Sequence, residues 1–169
     1  MNRVAILATT LLVLPAVADD NRWFQATLDG YQEVPSVATR ATGVFTARPS
    51  PDRTRVEYTL TFANMQAPVT QSHIHLSQTA ANGAIIIWLC GTTSNPGPAG
   101  TPTCPQGSGT ISGVFTSADV QASPSTQQLT AGQITQFVDA MRSNATYANV
   151  HTTASPGGEI RGQIFGWSR

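Results

Sequence analysis

The amino-acid sequence predicts an all-β domain, a Greek-key sandwich or barrel carrying one short amphipathic helix. Three observations carry this reading. Apolar and polar residues alternate with period two in short segments along most of the chain. Segments rich in Gly, Pro, Asn and Asp separate them, and a single stretch has the helical period instead.

Ahead of the first strand, residues 1–18 read as a secretory signal peptide. Arg3 supplies a positive start, an apolar run follows over 4–14, Pro15 breaks it, and Ala16-Val17-Ala18 has the small-x-small form a signal peptidase accepts. The run is shorter than the ~20 apolar residues of a membrane span, and no later segment approaches that length. Setting it aside leaves residues 19–169 as a single domain, long enough for a core of its own, in an exported chain that is periplasmic or secreted.

Strands are expected at 23–28, 43–47, 55–62, 71–76, 84–90, 109–116, 146–151 and 159–167. The 55–62 segment is the plainest. Val56, Tyr58, Leu60 and Phe62 fall on one face and Arg55, Glu57, Thr59 and Thr61 on the other, the pattern of a half-buried antiparallel strand. Turns are expected at Asp29-Gly30, Pro49-Ser50-Pro51-Asp52, Asn82-Gly83 and Ser155-Pro156-Gly157-Gly158. The helix is marked by Ile134, Phe137, Val138 and Met141 at i, i+3, i+4 and i+7. Thr130 and Gln133 resemble a capping box ahead of it, and Asn144 suits a left-handed stop. A further helical turn is expected near 117–119.

Charge is scarce and balanced: nine basic residues, all arginine, face nine acidic ones. Such a chain has no electrostatic footprint for nucleic acid or an anionic membrane. Its two cysteines, Cys90 and Cys104, are expected to form a disulfide, because an exported protein meets oxidising conditions. Closing the Pro/Gly/Ser/Thr-rich loop between them is worth roughly 3 kcal/mol in the chain-entropy model. A metal-binding or redox pair is the competing reading, which the wide spacing disfavours.

The residues best suited to chemistry are the three histidines, His73, His75 and His151. In His73-Ile74-His75 the two rings project from one face of a strand while Ile74 faces the core. Val150 takes the core side of the 146–151 strand, so His151 shares its face with Asn149 and Tyr147. If those strands are neighbours, three neutral imidazoles converge as candidate ligands for copper or zinc, with a position left open for water or another ligand. Metal-bound imidazoles normally have the second ring nitrogen held by an acceptor. Asn149, Glu159 and Gln163 are the polar side chains expected to supply it, with Arg161 on the same face as Glu159 and Gln163. Structural histidines, hydrogen-bonded or facing solvent, are the competing reading. No nucleophile elbow, phosphate loop, dinucleotide fingerprint or H-E-x-x-H is present.

Four motifs occur in order: Leu28-Asp29-Gly30-Tyr31-Gln32-Glu33-Val34-Pro35, Ser72-His73-Ile74-His75-Leu76, Tyr147-Ala148-Asn149-Val150-His151-Thr152, and Pro156-Gly157-Gly158-Glu159-Ile160-Arg161-Gly162-Gln163-Ile164. Together they resemble the CHRD domain, the module named after chordin and also found in many bacterial exported proteins. The resemblance implies an immunoglobulin-like β-sandwich or barrel, and it puts the three histidines inside the family's own motifs. Cys90 and Cys104 match its bacterial version. It implies no activity, and chordin's antagonism of bone morphogenetic proteins does not carry over, because this chain lacks chordin's cysteine-rich repeats. A looser likeness is to copper-zinc superoxide dismutase, another Greek-key barrel with a H-x-H strand. That enzyme's fourth copper histidine, bridging histidine and zinc-loop histidines have no counterpart here.

The expected function is therefore metal binding or handling rather than catalysis, with copper favoured over zinc because three imidazoles without thiolate or carboxylate suit it. Two alternatives stand beside it. One is a non-catalytic module that binds an extracytoplasmic protein or the envelope, with exposed apolar area near Tyr31, Trp23 or Trp167. The other is a copper-dependent redox enzyme resembling superoxide dismutase.

Overall fold

The computed structural model describes residues 23–167. The signal-peptide reading of 1–18 lies outside the described residues. Among the described residues there are nine strands: β1 Trp23–Asp29, β2 Thr42–Pro49, β3 Arg55–Ala63, β4 Val69–Leu76, β5 Ala84–Cys90, β6 Gly109–Thr116, β7 Thr146–Thr152, β8 Ile160–Gln163 and β9 Phe165–Trp167. One α-helix, α1 Ile134–Arg142, precedes β7. Short 3-10 turns follow β1 and β6, the second being the expected turn at Ser117–Asp119.

All ladders are antiparallel, and they form one continuous path, β5-β4-β7-β8-β1-β2-β3-β6, with β9 pairing to β1. The end strands β5 and β6 come alongside one another, so the sheet rolls into a nearly closed barrel. Alternation drives this. In β3 the four apolar residues of one face are buried, and they join Phe24, Leu28, Phe45, Ile74, Phe115, Val150 and Ile160 in a single core. Burying side chains of this size stabilises by about 1.5–3 kcal/mol each.

The predicted stretch 159–167 divides in two. Ile164 is fully buried, and its N–H bonds to the Thr146 carbonyl, while Phe165 turns outward. The change of face ends β8, which pairs with β7, and releases β9 toward β1. Helix α1 closes the barrel with the four predicted residues, Ile134, Phe137, Val138 and Met141, all buried. Phe137 meets Phe115 of β6 edge-on at a centroid distance of 5.7 Å. Half of the expected capping box forms: the Gln133 side chain accepts from the Thr130 N–H, but the helix starts only after Gln133. Asn144 adopts φ 55° and ends it, with the Asn144 and Ala145 N–H groups returning to Met141 and Ala140, as in a Schellman stop.

Cys90 at the end of β5 is disulfide-bonded to Cys104. The enclosed loop is pinned at its base, where the Gly91 N–H reaches the Pro102 carbonyl and the Cys104 N–H reaches the Gly91 carbonyl. Its tip folds back over Trp88. Gly97, at φ 67°, lies so close to the indole that a Cβ there would stand 2.7 Å from the ring. Only glycine supplies both that backbone and that clearance.

Candidate metal centre

Strands β4 and β7 are neighbours, and their register sets His73 opposite Asn149, His75 opposite Tyr147 and Gln71 opposite His151. Ile74, Ala148 and Val150 enter the core, so the three imidazoles project from the other face of the sheet. One nitrogen from each ring lies within 4.8 Å of the others. Three nitrogens at 2.0–2.1 Å from one ion stand roughly 3.3–3.6 Å apart. An inward rotation of the rings would bring the trio to that spacing, so the three could hold a metal ion.

This face is not open to solvent. His73, His75 and His151 are exposed by 0, 7 and 6 %. Backbone carbonyls from two loops hold two of the rings. His75 Nδ1 is 2.9 Å from the Gly83 carbonyl and His151 Nδ1 is 2.9 Å from the Pro156 carbonyl. A carbonyl only accepts, so each Nδ1 carries the proton and each Nε2 offers a lone pair. His73 Nδ1 is 3.2 Å from His151 Nε2, while His73 Nε2 is buried without a partner. His73 thus donates through Nδ1 to His151; were this nitrogen to bind an ion, the His73 proton would have to lie on Nε2.

Burial disfavours the imidazolium form of all three. It holds His75 near 4 against an ordinary 6.5, pushes His73 further down with the neighbouring rings assisting, and lowers His151 despite the Pro156 hydrogen bond. At neutral pH the trio is uncharged, the state in which imidazole binds a metal.

The polar residues singled out in the sequence divide into one that meets a histidine and three that do not. Asn149 Oδ1 lies 3.1 Å from His75 Nε2. With Nδ1–H already given to Gly83, the complementary partner of that Nε2 is the amide NH2, reached by a half-turn of the side chain. Glu159 instead accepts from the Thr39 hydroxyl, the Thr152 hydroxyl and the Gln66 N–H, tying three segments of chain together. Gln163 donates to the Ser77 and Asn144 carbonyls. Arg161 donates to Asn82 Oδ1 and to the carbonyls of Ala81 and Gln78. The expected side-chain acceptors are therefore replaced by main-chain carbonyls, which no reading of residue types reveals.

Two aromatics complete the shell. His75 stacks on Tyr147 with centroids 4.6 Å apart and an interplanar angle of 1°, and the Arg161 guanidinium lies 3.4 Å from the Tyr147 centroid. Trp88 meets His73 edge-on at 4.3 Å. Its place depends on two irregularities in the β4–β5 register, one between Ser72 and His73 and one between Ile74 and His75. These β-bulges turn Trp88 toward the histidine face. The unbroken apolar run of β5 has no alternation that assigns it a face. Beyond Arg161 lies Glu33, buried against Gly158, its carboxyl pushed up to about 7 by loss of solvent and only partly drawn back by the Arg161 charge.

Fold and cluster together define a class: a rolled antiparallel β-domain with a buried three-histidine centre under two loops. The family model described as CHRD domain matches residues 24–164. The chain belongs to the CHRD domain family. No curated protein and no solved structure matches it significantly.

Proposed function

We propose that this chain is an exported CHRD-domain protein that binds a transition-metal ion, copper, through His73, His75 and His151. One observation carries the reading. Three uncharged, buried imidazoles present nitrogens within 4.8 Å of one another, and carbonyl bonds already orient two of them. Copper is favoured over zinc by a donor set of imidazoles alone and by its place in the affinity order. Export is supported by the Cys90–Cys104 disulfide and by the 1–18 segment. Burial of the rings speaks against a substrate reaching the ion directly, and so for metal handling rather than dismutase-like turnover.

The test is a calorimetric titration of Cu(II) and Zn(II) into the mature protein and into His75→Ala. The reading expects one tight copper site in the parent and loss of about tenfold or more in affinity in the variant. Equal, weak uptake by both proteins refutes it.

A second reading, a module that docks a protein partner, is favoured by a separate observation. Tyr31, Phe165 and Trp167 are exposed by 71, 53 and 41 %. They flank two adjoining clefts that share Gln32 and Gln163. That reading predicts that replacing all three histidines leaves partner capture intact.

A further inference from the structure

We propose that the copper centre exchanges single electrons with an external donor through Trp88, instead of reacting with a molecule bound at the metal. This rests on the copper reading above and specifies how so enclosed an ion is used.

The three rings are almost wholly buried, so reactants must communicate with the ion through protein groups. Trp88 is placed to do so. It is the cross-strand partner of His73, its ring stands 4.3 Å from that ligand ring, and it is itself only half-buried. The indole also lines a cleft of about 140 Å³ together with Pro98, Gly100 and Thr101 of the disulfide-closed loop. It therefore spans from a ligand ring to a solvent-reaching surface. The bulges on either side of the pair and the missing Cβ of Gly97 are local departures whose shared result is to seat this ring.

Tyr147 is the competing aromatic contact, stacked on His75. It is buried, and the Arg161 cation lies 3.4 Å from its centroid. The phenol ring therefore offers no surface from which an outer-sphere donor could act, whereas the half-buried Trp88 does.

The step is Cu(II) plus one electron giving Cu(I), with an outer-sphere one-electron donor oxidised by one electron. No bond to the donor forms or breaks. The ligand imidazoles remain neutral throughout, so no proton need enter.

The experiment uses the copper-loaded mature protein, its Cu(II) content established first by electron paramagnetic resonance. It is mixed rapidly with hexaammineruthenium(II), and the decay of the Cu(II) signal is followed. Trp88→Leu is expected to slow reduction by about tenfold or more at unchanged copper content. Trp88→Phe, which keeps a ring, is expected to fall between the two, and Phe165→Leu on β9 is expected to match the parent. Parent-like rates in Trp88→Leu overturn the proposal. Should that variant fail to hold copper, parent-like rates in Trp88→Phe overturn it equally. Failure of the parent protein to retain copper refutes the underlying metal reading instead, and it appears before any rate is measured.

Discussion

Main-chain carbonyls hold two imidazoles of the trio in one tautomer, and the third, His73, bonds to the ring of His151. Gly83 and Pro156 fix the Nδ1 protons of His75 and His151, and both belong to loops outside the strands that carry the histidines. The consequence is that backbone geometry at those loops controls ligand geometry. Gly158 shows the sensitivity. It adopts φ 128°, closes the turn that contains Pro156, and has the Glu33 carboxylate packed against it. Gly158→Ala meets both a backbone unfavourable to L-residues and a clash with that carboxylate. It is expected to cost about 1–3 kcal/mol, by thermal or urea unfolding, and to weaken copper binding by displacing His151. At this scale the trio itself was legible, because residues two apart on a strand share a face. The partners of the trio were not: Glu159 and Gln163 have the right chemistry and the right face, but closer hydroxyls, amides and carbonyls claim them.

Among the elements, most strands and the helix could be read directly, since a period of 2 or 3.6 survives wherever one face is buried and the other wet. Helix α1 is the clearest case, with all four predicted residues buried. Phe137→Ala is expected to destabilise the domain by about 3–5 kcal/mol, measured by chemical denaturation. Folded protein carrying this change should still bind copper, because the helix packs against β6 and β9 whereas the trio stands on β4 and β7. Periodicity fails where both faces are covered. Strand β7 is buried along its whole length, and β5 carries two bulges. In β5 that loss of alternation conceals Trp88, which meets the His73 ring edge-on.

For the whole molecule, the buried polar face makes stability depend on pH through groups of opposite sense. His75 titrates near 4 when folded against 6.5 ordinarily. Its contribution is present above 6.5 and is lost as pH falls from there through 4. This is worth roughly 3 kcal/mol at most. His73 and His151 are lowered in the same direction. Glu33 is raised from 4.5 to about 7, so its contribution is complete below 4.5 and is lost as pH rises through 7. The metal-free protein should therefore melt at progressively lower temperature on acidification from pH 6.5 to 4. Glu33→Gln should melt above the parent at pH 8, by an amount corresponding to up to roughly 3 kcal/mol, and close to it at pH 4. Coincident melting curves for Glu33→Gln and parent at pH 8 would show that the buried carboxyl is not under strain. An all-β sandwich or barrel was expected from the sequence, and the strands do roll into one nearly closed barrel; the strand order that closes it was not legible, because β5 and β6 meet through packing rather than through a ladder.

Copper K-edge X-ray absorption on the loaded mature protein tests the central claim most directly. The expected first shell is three nitrogens at about 2.0 Å, with the outer-shell scattering that imidazole rings produce. A first shell dominated by oxygen or sulfur would contradict the assignment of His73, His75 and His151 as the metal ligands.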